Sequence, residues 1–214
     1  MRTFVPLLCV GIATVLGAAD TKKFVFNCES WPEGDPPLRE AMVVDGTITV
    51  KKVNGNKVLE VGTAPMVEAN ALLGSSANGS ASIEARVFAT KAGRSYPRFG
   101  IGVHGQTGYR LMISPAKKEL QLTKGEAVIK TVPFEWATDT WTKLKLEVTK
   151  QLDGSWTVQG RAWAADAVEP AEPLIKHTEA TLMSMGRCSL WATPFAGTPI
   201  DFDDIHVAVE VAGK

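Results

Sequence analysis

The sequence predicts an all-β fold, a sandwich or a barrel, on three observations. About a dozen short segments alternate apolar and polar residues at a period of two. Gly, Pro and Asn residues that favour turns separate these segments. Helix signals are scarce, because segments 36–42 and 178–185 each suit only a short turn and neither sustains an apolar stripe at helical spacing.

The first predicted strands lie before residue 62. Residues 23–28 alternate and are rich in aromatic side chains. Segments 47–51 and 57–61 flank Asn54-Gly55-Asn56, a sequence typical of a hairpin turn. The middle of the chain adds further predicted strands at 81–88, 98–104, 109–114, 119–123 and 127–132.

The C-terminal part of the chain continues the same pattern. Residues 141–149 are amphipathic at a period of two, and a turn at Asp153-Gly154 leads into a strand at 155–163. Predicted strands at 188–193 and 200–211 follow. No Pro/Ser-rich linker or shift in composition divides residues 20–214, so we expect a single domain, and no repeat of the length used by propellers or solenoids is visible.

The N-terminus has the pattern of a secretory signal peptide. Met1-Arg2 is a short positive region, residues 4–16 are apolar and nearly uncharged, and Gly17-Ala18-Ala19 places small residues before a cut. We therefore expect residues 1–19 to be removed, Asp20 to begin the mature chain, and the protein to be secreted or periplasmic. The alternative is a buried N-terminal helix or a membrane anchor, for which the apolar stretch is short.

The composition excludes several classes of protein. The 23 Lys and Arg residues balance 23 Asp and Glu residues, so the chain has no charge excess with which to bind nucleic-acid phosphates. With 45% hydrophobic and 21% charged residues, the composition is that of a globular chain rather than a disordered one. Beyond the N-terminus no apolar run reaches the roughly 20 residues that span a bilayer, so we expect no membrane span in the mature chain.

Two cysteines remain after the predicted cut, Cys28 and Cys188. In an exported protein they are a candidate disulfide, with Cys28 in the first predicted strand and Cys188 close to the last one. The alternative is two buried free thiols that behave as small apolar side chains. The pair has no accompanying histidine cluster and therefore does not indicate a zinc site.

The C-terminal third carries a resemblance to a known family. Residues 186–191 (GRCSLW), followed by 200–207 (IDFDDIHV), resemble the end of concanavalin A-like (LamG-like) jelly-roll domains, and 141–148 (WTKLKLEV) resembles another strand of that family. Residues 156–163 (WTVQGRAW) resemble a variant found in exported bacterial proteins of unassigned function. The resemblance covers most of residues 24–207 and implies a two-sheet antiparallel jelly-roll sandwich whose first and last strands lie side by side.

Some members of that family are enzymes, and the sequence departs from their motifs. Laminarinase-type glucanases carry Glu-x-Asp-x-x-Glu on one strand, whereas residues 81–86 (ASIEAR) contain one carboxylate, Glu84, followed by Arg86. Relatives classed as keto-disaccharide hydrolases usually begin with L-F-N-G-K-x-L-x-G-W, to which residues 26–31 (FNCESW) are only distantly similar. These departures favour a module without catalytic activity over an enzyme.

The outward-facing residues of predicted strand 98–104 indicate a ligand cleft. Alternation sends the apolar residues to one face and leaves Arg98, His104 and two glycines on the other, where the glycines leave room for a ligand to approach the backbone. Arg donors suit sugar hydroxyls or carboxylates, and a Trp ring suits the apolar face of a sugar. The sequence therefore predicts a shallow polar cleft lined by Arg98, His104, Arg110 and Trp191. The alternative is a solvated outer face, with Trp191 in the core.

No cofactor or metal is expected. The sequence contains no phosphate loop, dinucleotide fingerprint or zinc motif. Asp201, Asp203 and Asp204 invite comparison with a calcium site, but strand alternation would send Asp201 and Asp203 to one face and Asp204 to the other, unlike a calcium-binding loop. We expect these residues to be surface carboxylates that close a strand.

Three functions are compatible with these observations. The first is a secreted or periplasmic jelly-roll module that binds a polysaccharide or a cell-envelope glycan without cleaving it. The second is a glycoside hydrolase-type enzyme, for which Glu84, Asp203 and His104 are the candidate residues. The third is a structural or interaction domain of the cell envelope.

Overall fold

The computed structural model describes residues 20–64, 67–181 and 184–211. The predicted signal peptide, residues 1–19, lies outside the described residues. The chain forms two antiparallel sheets packed as a sandwich, which confirms the all-β jelly-roll prediction and excludes the barrel that the strand pattern left open.

Strands are numbered β1 to β15 in chain order. The back sheet has, from one edge to the other, β13 (Ile175–Glu179), β12 (Trp156–Ala164), β11 (Thr140–Lys150), β6 (Ala81–Ala89), β15 (Ile200–Val211), β4 (Asn56–Val61) and β3 (Ile48–Val53). Next to the second half of β15 lies β1 (Asp20–Phe26), so the first and last strands are neighbours, as the resemblance implied. The front sheet has β10 (Ala127–Pro133), β9 (Glu119–Lys124), β8 (Tyr109–Ser114), β7 (Arg98–Val103), β14 (Gly186–Thr193), β5 (Ala69–Ala77) and β2 (Ala41–Asp45). A single turn of 3-10 helix, Pro115–Lys117, joins β8 to β9.

The core lies between the two sheets and is built from the alternation seen in the sequence. In the back sheet, β6 and β11 point Ile83 and Leu146 inward, opposite each other across the strand pair. In the front sheet, β7 points Phe99 and Ile101 to the same core, and all four side chains are fully buried. Each fully buried side chain of this kind stabilises the fold by about 1.5–3 kcal/mol, so the register of these strands is strongly fixed.

Three strands are not predicted by the sequence pattern: β2, β5 and β13. The sequence of β5, ANALLGSSA, is rich in small residues with weak strand preference, yet this strand is paired on both sides, with β14 and β2. The expected turn at 36–42 forms, since Ala41 N–H donates to the Pro37 carbonyl at 2.9 Å immediately before β2. In the segment 178–185, where a short turn was expected, residues 178 and 179 instead belong to β13, which pairs with β12 as far as Glu179, and residues 182 and 183 lie outside the described residues.

A bulge in β15 changes the expected placement of the aspartates. The register with β6 shifts between Asp203 and His206, and Asp204 adopts a positive φ of 46°. Alternation alone would have put Asp204 on the buried face with Phe202; the bulge instead exposes Asp204 and buries Ile205. Asp201 and Asp203 lie on the outward face as expected, but both are buried there rather than solvated.

Cys28 and Cys188 are free thiols in the structure, which is the alternative that the sequence left open. The Cys188 Sγ lies 3.7 Å from the Ser82 carbonyl oxygen, and Ser82 pairs with Ala208 of β15. Cys28 lies near Asp203; burial, and then the charge of Asp203, raise the pKa of its thiol to about 12. Five residues of β15 separate these two levels, about 16 Å along an extended strand, which is too far for a disulfide.

Candidate functional site

The outer face of the front sheet brings together side chains from distant parts of the sequence. Strand register aligns its outward positions in rows that run across the sheet. One row contains Thr123, Arg110, Gly102 and Ser189, and the next contains Gln121, Met112, Gly100, Trp191 and Asn70. Most of these side chains are buried although they point away from the core, because they cover one another.

Gly102 of β7 makes room for Trp191 rather than for a ligand, whereas Gly100 makes room for Met112 and the backbone of β8. A Cβ atom on Gly102 would lie 2.5 Å from Ser189 Oγ and 3.0 Å from Trp191 Nε1, so the indole occupies the space above this glycine. The indole N–H donates to Ser189 Oγ at 2.7 Å. Trp191 is only 2% exposed, and its ring is therefore the floor of the outer face and not a free platform.

The guanidinium of Arg110 covers the Trp191 ring. Its central carbon lies 3.3 Å from the centre of the ring, a close cation–π contact. One terminal nitrogen donates to the Gln106 carbonyl at 2.8 Å, and the other lies 3.4 Å from a Glu68 carboxylate oxygen. Burial lowers the pKa of Arg110 and Glu68 opposes that change, so the group stays charged. Its Nε–H is buried and has no hydrogen-bond partner among the residues that the structure describes.

Beside this stack is an open cleft of about 360 Å³, here called the Arg cleft. Arg98 lies on the same face as Arg110 and donates to the Gln121 side-chain oxygen at 3.3 Å. The cleft thus offers two arginine forks as donors and two glutamates as acceptors. Its lining residues are Glu68, Arg98, Arg110, Thr123, Gly125 and Glu126.

Of the four residues predicted for this cleft, Arg98 and Arg110 line it, Trp191 lies buried beneath Arg110, and His104 lies elsewhere. It follows the last residue of β7 with a positive φ of 62°, which breaks the alternation that would have placed it beside Arg98. Its side chain is fully buried, and its Nε2–H donates to the Gly79 carbonyl at 2.9 Å. Burial lowers the pKa of His104, which favours the neutral ring. The expectation that His104 lines the cleft is therefore wrong, and the residue supports the turn between β5 and β6.

Several cleft residues were missed in the sequence. Thr123 and Gln121 occupy the outward positions of a correctly predicted strand, so their alternation was the available signal. Glu68 immediately precedes β5, and because β5 was not predicted as a strand, the sequence did not place Glu68 beside the front sheet. Glu126 lies in the tight connection between β9 and β10, where the sequence shows only a turn.

The residues considered for an enzyme do not converge. Glu84 is on the back sheet, where its carboxylate lies 3.7 Å from the Lys143 amine. Asp203, on the same sheet, accepts hydrogen bonds from Asn56 and Arg86 at 2.5 Å each. His104 follows β7 of the front sheet, and its Nε2–H donates to the Gly79 carbonyl. A search of the described residues finds no group of three or more His, Cys, Asp or Glu side chains placed to hold a metal ion.

Comparisons with known proteins identify the fold. No protein-family model and no curated protein matches the sequence. Lectin II from Ulex europaeus is 13% identical, covers 90% of this chain and all of its own, and gives a TM-score of 0.57. Carbohydrate-binding module CBM66 from Bacillus subtilis is 14% identical, covering 77% of this chain and 92% of its own, with a TM-score of 0.53.

An alginate lyase, Aly36B, solved with an alginate tetrasaccharide, is 11% identical, covers 90% of this chain and 98% of its own, and gives a TM-score of 0.54. The chain therefore has the concanavalin A-like, lectin-type fold that its C-terminal motifs resembled. At these identities the likeness shows the fold alone. Within the described residues, no helix is both long enough and apolar enough to cross a membrane.

Proposed function

We propose that this protein is an exported domain that binds a polysaccharide in the Arg cleft without cleaving it. The observation that carries the proposal is the Arg110–Trp191 stack, which holds a charged fork donor rigidly at the wall of an open cleft. The lectins and carbohydrate-binding modules that share the fold support the ligand class. The signal-peptide pattern of residues 1–19 supports export.

The chemistry of the cleft suits a hydroxyl-rich ligand. A sugar needs both donors and acceptors at short spacing, and the arginines and glutamates of the cleft supply both. Arg110 is held in place by its contacts with Trp191, Gln106 and Glu68, so it loses little freedom when a ligand binds. The two guanidinium groups also suit a uronate carboxylate, which they can bind in a bidentate manner.

A titration with defined polysaccharides tests this function. The mature protein, residues 20–214, is titrated with sodium alginate as a polyuronate and with laminarin as a neutral glucan, and heat of binding is measured. Arg110→Lys keeps the charge but loses the planar fork, and we expect it to weaken binding at least about tenfold, since charge-assisted hydrogen bonds contribute about 1.5–3 kcal/mol each.

Arg161→Lys is the matched control. Arg161 is a similarly buried arginine on the back sheet, 2.7 Å from Glu147, and its replacement should leave binding unchanged. Absence of binding to alginate, laminarin and a broad glycan array, or equal affinities of Arg110→Lys and the unmodified protein, would overturn the proposal.

A saccharide-cleaving enzyme is the second candidate, and one observation favours it. Glu68 and Glu126 both line the Arg cleft, so two carboxylates face the same space. Glycoside hydrolysis uses such a pair as acid and as base or nucleophile. Release of reducing ends from laminarin that is lost in both Glu68→Gln and Glu126→Gln would favour the enzyme, whereas binding without product would favour the module.

A further inference from the structure

A second cavity lies at the end of the sandwich, where loops cross between the sheets. We call it the loop-end pocket; its volume is about 190 Å³. Tyr96, Pro115 and Trp136 form its apolar part, and Lys91, Lys118 and Glu135 supply charge. They come from three separate connections, β6 to β7, β8 to β9 and β10 to β11. The pocket is smaller than the roughly 300 Å³ at which sites for drug-sized ligands begin, so it suits one small ring.

Trp136 lines this pocket and carries an N–H donor that no described residue accepts. Its ring packs edge-on against Phe99 of the core, with the ring centres 5.8 Å apart, so the indole is fixed in place. Its Nε1 is buried, and none of the described residues accepts its hydrogen. An unpaired buried donor costs about 1–3 kcal/mol, and a ligand oxygen in the pocket would remove that cost.

Tyr96 supplies an aromatic ring on the other side of the pocket. It is half-buried, and the Lys91 amine lies 5.9 Å from its ring centre. Two aromatic rings with one indole donor form a site that favours a sugar ring, because a pyranose has apolar C–H faces and hydroxyl edges. Lys118 and Glu135 pair with each other at 3.3 Å in solvent, so the charges of these two residues balance and Lys91 remains as the cation of the pocket.

Residues of the loop-end pocket adjoin residues of the Arg cleft along the strands of the front sheet. Tyr96 is two residues before Arg98, a cleft residue. Arg98 donates to Gln121, and Gln121 in turn donates to a Glu119 carboxylate oxygen at 2.9 Å, next to Lys118 of the pocket. Along β8, Arg110 of the cleft and Pro115 of the pocket are five residues apart, about 17 Å. Hydrogen-bonded side chains thus link residues at the edges of the two sites.

We infer that the loop-end pocket is a second saccharide subsite, and that one polysaccharide chain occupies the Arg cleft and the pocket together. This inference rests on the proposed function and deepens it, because it specifies a ligand long enough to reach both sites. A sugar ring in the pocket stacks on Tyr96, and one of its hydroxyl oxygens accepts the Trp136 N–H. Binding at one site raises the effective concentration of the chain at the other, so affinity increases with chain length.

A length series tests the inference. Disaccharides and hexasaccharides prepared from alginate and from laminarin are titrated into the unmodified protein and into Tyr96→Ala and Trp136→Phe. The Trp136→Phe variant keeps an aromatic ring against Phe99 and removes the donor together with the second ring of the indole. We expect the hexasaccharide of the bound polymer to bind at least about tenfold more tightly than its disaccharide, and each variant to lose most of that gain. Disaccharide affinity should not change.

Trp141→Phe is the matched control, since it removes an indole donor from the outer face of the back sheet. Unfolding midpoints of all variants establish that they are folded. In protein labelled with ¹⁵N at tryptophan, the Trp136 indole resonance should move with the hexasaccharide and stay in place with the disaccharide.

The outcomes separate this inference from the proposed function. If disaccharides bind, Arg110→Lys abolishes that binding and hexasaccharides gain nothing, the Arg cleft stands and the pocket subsite is overturned. If Tyr96→Ala and Trp136→Phe lose affinity and Arg110→Lys does not, the pocket binds sugar and the Arg cleft is overturned. If the unmodified protein binds no saccharide, both are overturned.

Discussion

The outer face of the back sheet pairs its charges with one another, whereas the outer face of the front sheet gathers polar side chains around a buried indole. On the back sheet the ion pairs Lys143–Glu84, Lys145–Glu169 and Arg161–Glu147 have N–O distances of 3.7, 3.0 and 2.7 Å. On the front sheet Arg110 lies on Trp191 and Arg98 donates to a neutral amide.

Two sheets with similar sequence patterns thus have outer faces with different chemistry. Both faces read as alternating polar residues in the sequence, and both contain arginine. The back face satisfies its charged groups internally, so a ligand would have to break ion pairs to bind there. The front face keeps two arginines beside an open cleft, because Gly102 lets the Trp191 indole pack into the sheet beneath Arg110.

Asp201 is the exception on the back face. It lies directly opposite Glu60, whose carboxylate pairs with Lys51, and the Asp201 Oδ1 is buried with no partner among the residues described. Burial, and then the charge of Glu60, raise the pKa of Asp201 to about 6. The ionised form of Asp201 therefore destabilises the fold near neutral pH.

The largest expected effect comes from removing the indole that supports the front face. Trp191→Ala should lower the free energy of unfolding by about 3–5 kcal/mol, because it leaves a cavity over Gly102 and uncovers Arg110. Trp141→Ala, on the back face, should cost about 1–2 kcal/mol, because Trp141 is only half-buried against Phe88 and Arg86. Urea unfolding measures both values. Equal losses would contradict the contrast between the two faces.

The next prediction tests whether packing of the front face requires Gly102. A Cβ on Gly102 would lie 2.5 Å from Ser189 Oγ and 3.1 Å from the Tyr109 carbonyl oxygen, so Gly102→Ala should destabilise the fold by about 1–3 kcal/mol. The matched control is Gly62→Ala, where the nearest side-chain atoms belong to Thr47 at 3.8 Å and a change within about 0.5 kcal/mol is expected. Thermal unfolding of the two variants compares them. Equal stabilities of Gly102→Ala and Gly62→Ala would contradict the conclusion that Trp191 fills the space above Gly102.

A smaller, pH-dependent effect is expected at Asp201. Its folded pKa of about 6 exceeds the ordinary aspartate pKa of 3.8, so the destabilisation by its ionised form is present above pH 6 and disappears as the pH falls toward 4. Asp201→Asn should therefore raise stability by about 1–2 kcal/mol at pH 7.5 and by little at pH 4.

Urea unfolding across this pH range measures the difference in unfolding free energy between Asp201→Asn and the unmodified protein. The buried His104 acts in the opposite direction, since its lowered pKa makes the fold lose stability as the pH falls through the ordinary histidine range. Because His104 is present in both proteins, its contribution cancels in the difference. A difference that is independent of pH would contradict the burial of an ionised Asp201.

The smallest effect is expected from breaking one ion pair of the back face. Lys145 and Glu169 are both partly exposed, so Lys145→Ala should change the unfolding free energy by no more than about 1 kcal/mol. Saccharide binding should be unchanged, because Lys145 lies on the sheet opposite the Arg cleft. A loss of binding in this variant would indicate that the saccharide binds to the back face instead of the Arg cleft.

Much of the fold could be predicted because strand alternation is a local property. Residues 141–149 showed their buried face from sequence spacing alone, and the structure confirms it with Leu144, Leu146 and Val148 fully buried. By contrast, β5 was missed because its small residues have weak strand preference and its pairing with β14 and β2 holds it in the sheet. Export, the cut before Asp20 and the single domain stay predictions.

By itself the sequence determined the all-β class, most strands, and the outward positions of Arg98 and Arg110. Only the tertiary structure decided that Trp191 lies buried beneath Arg110, that His104 turns to Gly79, and that residues of three connections line one pocket. The reason is physical: alternation depends on neighbouring residues, whereas these contacts depend on the register of strands far apart in the chain and on a single positive φ that reverses a side chain.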